Sequence, residues 1–128
     1  HVLDEFNEFM EEEIYQMMIA ATENQDELIL ENTTTLKVAR WWDKACDIIP
    51  CNGGKDIGIQ KILDYFNFNK EEAMAFGDGG NDISMLKYVG TGVAMGNAKD
   101  DVKAIADYIT DSVQEDGIVS ALKHFEIL

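Results

Sequence analysis

The sequence predicts an α/β fold whose main part is a parallel sheet flanked by helices. Short apolar strands alternate with helical segments from about residue 72 onward, and a glycine-rich acidic turn follows the first of these strands. Such alternation favours parallel strands joined by right-handed crossovers. The first fifty residues instead have a hairpin-like pattern. We therefore divide the chain into two predicted parts, 1–50 and 51–128.

The first part predicts two helices and three strands. In chain order these are a helix over 3–12, a buried strand over 14–21, a helix over 24–32, and strands over 36–42 and 47–49. Helical spacing of apolar residues indicates the first helix, and β-branched and aromatic content indicates the first strand. Asn24 is the predicted N-cap of the second helix, and Pro50 ends the last strand.

The second part predicts four helices and three strands. These are a helix over 56–66, a strand over 72–76, a helix over 81–89, a strand over 92–95, a helix over 98–106, a strand over 108–110, and a closing helix that begins near 115. The first helix is amphipathic because its apolar residues follow i, i+3, i+4, i+7 spacing, at Ile59, Ile62, Leu63 and Phe66.

Composition narrows the class of protein. A hydrophobic content of 46% excludes a disordered chain, and no apolar run approaches the ~20 residues that cross a bilayer. The net charge of −15 disfavours nucleic acid and anionic membranes as partners. Cys46 and Cys51 have no matching His or Cys pair, so a zinc site is not expected. We expect reduced thiols and a cytoplasmic location.

The stretch "GDGGND" at 77–82 is the strongest chemical signal. It follows a strand and opens a helix, and ligands bind at the carboxyl ends of parallel strands. Asp78 and Asp82 offer hard oxygens that suit Mg²⁺, and Asn81 adds a donor and an acceptor. A plain turn with Asn81 as the helix N-cap is the alternative. An EF-hand loop is excluded, because Ile83 and Val89 replace its required Gly and Glu.

A family resemblance rests on the string "GDGGNDISMLKYVGTGVAMGNAKDDVKAIADYITDSVQEDGI". It resembles the C-terminal signature of the haloacid dehalogenase superfamily, in the Cof-type, type IIB sugar-phosphatase branch. The upstream segment "GGKDIGIQKIL" resembles the conserved-lysine segment of that family. The resemblance implies a partial haloacid dehalogenase core over 51–128. Residues 1–50 resemble the C-terminal part of the family's α/β cap domain.

The resemblance also implies an activity and a set of roles. The activity is Mg²⁺-dependent hydrolysis of phosphate monoesters, with sugar phosphates as the expected class, through an aspartyl-phosphate. Lys55 contacts the phosphate and the nucleophilic carboxylate, and Asp78 is a metal ligand. Asp82 holds the metal or a metal-bound water, or supports Asp78, while Asn81 binds the phosphate or orients the lysine. Arg40 stays outside this predicted site, because an arginine beside two tryptophans usually covers them.

The chain departs from the family pattern in one large respect. It contains no D-x-D motif, so the family nucleophile is absent. We expect a C-terminal portion of a phosphatase that is inactive alone. A non-catalytic binding module and a half-enzyme completed by another chain are the alternatives. In the family the strand at 72–76 lies beside the missing strand, so its open edge predicts self-association.

Overall fold

The computed structural model describes residues 13–128, so the helix predicted over residues 3–12 lies outside the described part. The strands and helices of the described part are β1 Met17–Ile19, α1 Asp26–Leu30, β2 Leu36–Trp42, β3 Ala45–Pro50, α2 Lys55–Phe66, β4 Met74–Gly77, α3 Ile83–Tyr88, β5 Thr91–Ala94, α4 Asp100–Lys103, β6 Tyr108–Ile109 and α5 Gly117–His124. Their order agrees with the prediction. None of these helices has both the length and the apolar character needed to cross a bilayer.

The first sheet is antiparallel, with β3 between β1 and β2. In the β2–β3 hairpin, Lys37 pairs with Ile49 and Ala39 with Asp47. One face of the sheet packs on a small core that includes Ala21, Cys46, Ile48 and, from α1, Ile29. Since side chains alternate along a strand, Lys37, Ala39 and Asp47 lie on the opposite face.

Two predictions for this part are wrong in detail. The strand predicted to be buried over 14–21 is reduced to β1, and Met18 is 71% exposed. β1 lies at the edge of the sheet, and Met18 pairs with Asp47, so its side chain lies on the face away from the core. Asn24 does not cap α1, because it lies inside a short 3₁₀ helix, Glu23–Gln25, that precedes α1. The side chain of Gln25 instead accepts a hydrogen bond from the backbone N–H of Thr22, at 2.9 Å.

The second sheet is parallel, with β5 between β4 and β6. Phe76 pairs with Val93, and Val93 pairs with Tyr108. Val93 and Ala94 of β5 are completely buried. The core beside this sheet comes from β4, β5, α3, α4 and the segments that follow β5 and α3, and it consists of Ala75, Leu86, Val89, Ala94, Ala98 and Val102. The prediction of a parallel α/β sheet is confirmed.

The helix α2 leaves part of its apolar face uncovered. Ile59 packs against the core of the parallel sheet, but Ile62 is 59% exposed and Phe66 is 60% exposed. Within residues 13–128, β4 has a strand partner on one side only. Within the described residues, α2 therefore exposes apolar side chains and β4 has an open edge.

Candidate active site

The acidic stretch forms a tight turn between β4 and α3, and Asp82 holds this turn together. Asp82 is buried, with 5% of its surface exposed. Its Oδ2 accepts hydrogen bonds from the backbone N–H groups of Asp78 and Gly79, at 3.0 and 3.1 Å. A Cβ on Gly77 would lie 2.6 Å from the Cβ of Asp82. The turn therefore depends on a side-chain oxygen acceptor at position 82 and on the absence of a side chain at position 77.

Lys55 connects the start of α2 to this turn. Its ammonium group forms an ion pair with Oδ1 of Asp82. Burial by itself would raise the pKa of Asp82, but the hydrogen bond from Lys55 and the backbone donors of Gly79 and Asp78 outweigh burial and hold that pKa below its ordinary value. Asp82 is therefore ionised at neutral pH, with both of its carboxylate oxygens engaged.

Asp78 is exposed and has a different neighbour. Its Oδ2 accepts a hydrogen bond from the side-chain amide of Asn97, at 3.0 Å. Its Oδ1 accepts no hydrogen bond from the residues that the structure describes. Sequence reasoning did not single out Asn97. The signal was available, because β4 and β5 are parallel neighbours and residues shortly after each strand meet at one edge of the sheet.

A cavity of about 590 Å³ lies between the antiparallel sheet and the acidic turn. β2 and β3 form one wall, and the starts of α2 and α3 form the other. Lys55 and Asn81 line this cavity, whereas Asp78 and Asp82 do not. The structure thus brings all four predicted residues to one turn and its ion partner, but only two of them face the cavity.

The charges at the cavity differ from those of the chain as a whole. Among residues 13–128, the cavity is lined by three Lys and Arg residues, Lys37, Arg40 and Lys55, together with one carboxylate, Asp47. Lys37 donates to the carbonyl of Cys51 at 3.2 Å, and within residues 13–128 it has no carboxylate partner. Arg40 and Lys55 are each paired with a carboxylate outside the lining, Asp26 and Asp82, so the cavity wall is close to neutral on a protein of net charge −15.

Arg40 has a structural position beside the cavity. Its guanidinium group forms an ion pair with Asp26 of α1 and donates to the carbonyls of Ala21 and Trp42, at 2.7 and 3.3 Å. The guanidinium group of Arg40 therefore binds a carboxylate and two backbone carbonyls. Its ion pair attaches α1 to the antiparallel sheet.

Close backbone contacts hold the antiparallel sheet against the acidic turn. A Cβ on Gly80 would lie 2.8 Å from the carbonyl oxygen of Arg40, so a side chain at that position would push the sheet away. Beyond the end of β2, Asp43 pairs with Lys99, with 2.5 Å between Oδ1 and Nζ. The glycine therefore permits an approach that the ion pair reinforces.

Asp78 fits a magnesium ion better than Asp82 does. Mg²⁺ is commonly bound by one or two carboxylates together with waters and phosphate oxygens. Asp78 offers an exposed carboxylate, whereas both oxygens of Asp82 are already hydrogen-bonded. Residues 13–128 contain no group of three or more His, Cys, Asp or Glu side chains placed to hold a metal. These residues fit Mg²⁺ only as part of a site that other groups complete.

A family model and a curated relative both place this chain among the same group of hydrolases. Residues 1–122 match the family model of the haloacid dehalogenase-like hydrolases. YkrA of Bacillus subtilis (strain 168), provisionally named a phosphatase, is 40% identical over 116 residues, which cover 91% of this chain and 45% of YkrA.

Solved structures agree with this match. The chain is similar to the sugar phosphatase BT4131 of the haloacid dehalogenase subclass IIB, with 45% identity and a TM-score of 0.88 over 96% of this chain and 47% of that one. It is also similar to the phosphatase BT1666 from Bacteroides thetaiotaomicron, with 37% identity and a TM-score of 0.87 over 95% of this chain and 46% of that one. The chain spans about half the length of these relatives.

Proposed function

The chain belongs to the haloacid dehalogenase-like hydrolase family, and we propose that it is the C-terminal portion of a Mg²⁺-dependent phosphatase. The longer protein hydrolyses phosphate monoesters of small metabolites, with sugar phosphates as the expected class, through an aspartyl-phosphate. One observation supports this most: the acidic turn holds the ammonium group of Lys55 at the wall of a cavity that is large enough for a small phosphorylated metabolite. The phosphatase names of its relatives support the same reaction class.

The two parts of the chain contribute differently to this function. In the proposal, residues 1–50 are the C-terminal part of a cap domain, and residues 51–128 are the C-terminal half of the hydrolase core. The change of sheet type supports this division, since the antiparallel sheet ends with β3 at Pro50 and α2 begins at Lys55. The cavity between the two parts is where a substrate binds.

Lys55 and Asn81 bind the phosphate group. A phosphate dianion needs fixed positive charge and hydrogen-bond donors, and the chain is otherwise strongly acidic. Lys55 supplies an ammonium group at the cavity wall, and Asn81, which lines the same cavity, supplies an amide donor. The ion pair with Asp82 restricts where the ammonium group of Lys55 can lie.

Asp78 holds the magnesium ion, and Asp82 supports the turn. When bound, Mg²⁺ neutralises charge on the transferring phosphoryl group. Asp78 is the ligand from this chain because one of its oxygens is free of hydrogen bonds from the described residues. Asp82 fixes the backbone N–H groups of Asp78 and Gly79, which favours the supporting role over direct ligation.

Lys37 and Asp47 face the leaving group of the substrate. They lie on the open face of the antiparallel sheet and line the cavity opposite the acidic turn. A cavity of about 590 Å³ is large enough for a small phosphorylated metabolite. An ammonium group donates to sugar oxygens and a carboxylate accepts from sugar hydroxyls, so the pair suits a polyhydroxylated leaving group.

Phosphate release by the longer protein tests this proposal. We expect its reading frame to encode a D-x-D-G-T motif upstream of residue 1, and its activity on sugar phosphates to require Mg²⁺. Asp78→Asn should lower kcat by at least about a hundredfold, because it removes a charged group at the transition state. Asp47→Asn should retain turnover of a simple aryl phosphate, which lacks a sugar. Activity that is indifferent to Asp78, or a frame without the motif, contradicts the proposal.

A further inference from the structure

Asn97 connects two segments that are distant in sequence. It lies in the turn after β5, next to the end of β4. Its Nδ2 donates to Oδ2 of Asp78 at 3.0 Å, and its Oδ1 accepts from the backbone N–H of Val113, also at 3.0 Å. One amide side chain thus bridges the acidic turn and the segment that leads to α5.

The second hydrogen bond determines the direction of the first. A backbone N–H can only donate, so the group of Asn97 that faces Val113 must be its carbonyl oxygen. The amide nitrogen then faces Asp78, where it can only donate. The side chain of Asp78 accepts this bond through one oxygen, Oδ2, and keeps the other available.

The backbone next to Asn97 packs closely against the segment at 111–112. The N–H of Gly96 donates to the carbonyl of Asp111 at 3.0 Å. A Cβ on Gly96 would lie 2.6 Å from the backbone nitrogen of Ser112, so the two segments are in direct contact. Thr110, which is buried, donates to the carbonyl of Gly117 at 2.6 Å. The backbone that carries Asn97 is therefore held in place by its contacts with residues 110–117.

We propose that Asn97 is a positioning residue that holds Oδ2 of Asp78 so that Oδ1 is presented to a divalent cation. The inference rests on the proposed function, in which Asp78 is a Mg²⁺ ligand. Without Asn97, the exposed side chain of Asp78 is free to take other rotamers, and each binding event must order it again. With Asn97, one rotamer is selected before the cation arrives.

A titration of the ¹⁵N-labelled chain with MgCl₂, followed by NMR at the amides of residues 77–82, tests this role. Asn97→Ala should weaken Mg²⁺ binding about fivefold, the order expected for one freed side chain. Asn97→Leu keeps a side chain of the same branched shape but lacks the amide donor, so it should weaken Mg²⁺ binding to the same extent as Asn97→Ala. Asn32→Ala, in an exposed turn after α1, is the matched control for the loss of an asparagine side chain.

The outcomes separate this inference from the proposed function. If Asn97→Ala shifts the Val113 amide but leaves Mg²⁺ affinity unchanged, Asn97 only braces the segment at 111–113 and the inference is wrong. It is also wrong if Asn97→Leu binds Mg²⁺ as tightly as Asn32→Ala does, a comparison that decides alone should Asn97→Ala not fold. If the wild-type chain shows no Mg²⁺-dependent change at 77–82, the metal role of Asp78 fails and the inference fails with it.

Discussion

The two sheets differ in how completely they are covered. β5, in the middle of the parallel sheet, has Val93 and Ala94 completely buried. The antiparallel sheet is covered on one face by α1 and presents Lys37 and Asp47 to a cavity on the other. The covered sheet fixes the turn that holds Asp78 and Asp82, whereas the half-covered sheet can change its cavity-facing residues without disturbing a core. We therefore expect substitutions in the core of the parallel sheet to alter stability. Substitutions on the open face of the antiparallel sheet should alter substrate recognition.

The largest expected effect is on phosphatase activity, because both regions lack the nucleophile motif of the family. Neither region contains a D-x-D motif, so the isolated chain should have no measurable phosphatase activity. Removal of the nucleophile from a covalent enzyme costs about a million-fold in rate. Hydrolysis of a chromogenic aryl phosphate by the isolated chain, with and without MgCl₂, measures this. Mg²⁺-dependent turnover that disappears in Asp78→Ala would show that this chain contains its own nucleophile.

A matched pair of leucine substitutions tests the difference in burial. Leu86, on α3 beside the parallel sheet, is 1% exposed, and Leu28, on α1 beside the antiparallel sheet, is 70% exposed. Leu86→Ala should lower the free energy of unfolding by about 2–5 kcal/mol, because it leaves a cavity in the core. Leu28→Ala should change it by about 0.5 kcal/mol or less. Urea unfolding measures both, and equal effects contradict the proposed contrast.

A second matched pair of substitutions compares a carboxylate of the acidic turn, Asp82, with a carboxylate of the antiparallel sheet, Asp47. Asp82→Asn should destabilise the chain by about 1–3 kcal/mol, because it weakens the ion pair with Lys55 and the bonds to two backbone N–H groups. Asp47→Asn has no such partners among the described residues and should have little effect on unfolding. A similar loss in both variants would mean that the turn does not depend on Asp82.

The same carboxylate predicts a dependence of stability on pH. The pKa of Asp82 is lower in the folded chain than its ordinary value, so its contribution is fully present above that value, about 3.9. The contribution is lost as the pH falls through the folded pKa. Unfolding experiments at pH 7 and at about pH 3 should show a smaller loss of stability in Asp82→Asn than in the wild-type chain. An identical loss in both contradicts this assignment.

Self-association is the smallest expected effect, a doubling of mass at micromolar concentration. β4 has an open edge within the described residues, and apolar side chains are exposed on and after α2, at Ile62, Tyr65, Phe66 and Phe68. A strand edge beside apolar surface favours pairing with a second chain. Sedimentation velocity measures the mass. A folded monomer at tens of micromolar contradicts the prediction, and Tyr65→Lys should reduce any dimer that forms.

Local patterns predicted the positions of strands better than their burial or the caps of helices: β2 occupies its predicted range, 36–42, whereas the helix predicted over 98–106 is reduced to α4. The i, i+3, i+4, i+7 spacing placed α2 within one residue of its observed start, and buried apolar runs located β4 and β5. The burial of β1 was wrong because apolar content does not distinguish a central strand from an edge strand. The cap at Asn24 was wrong because Gln25 provides a competing contact to Thr22.

The sequence offered candidate residues for the site but not the connections between them. The acidic motif pointed to Asp78, Asn81 and Asp82, the family resemblance added Lys55, and the structure brings these four residues to one turn and its ion partner. That both oxygens of Asp82 are occupied follows from folding of the turn around it, which residue spacing does not reveal. The contact between Asn97 and Asp78 depends on the pairing of β4 with β5, a long-range feature that local patterns do not specify.

The most direct test asks whether the wall formed by Lys55 and Asn81 binds phosphate. Inorganic phosphate is added with MgCl₂ to the ¹⁵N-labelled chain, and amide shifts are followed by NMR. We expect saturable shifts at Lys55, Asn81 and the acidic turn, with a Kd of about 1 mM or weaker because this chain supplies only part of the site. Lys55→Met should abolish these shifts, and Lys61→Met, on the exposed side of α2, should not. Shifts that persist in Lys55→Met, or that occur only elsewhere, would contradict a phosphate site at this wall.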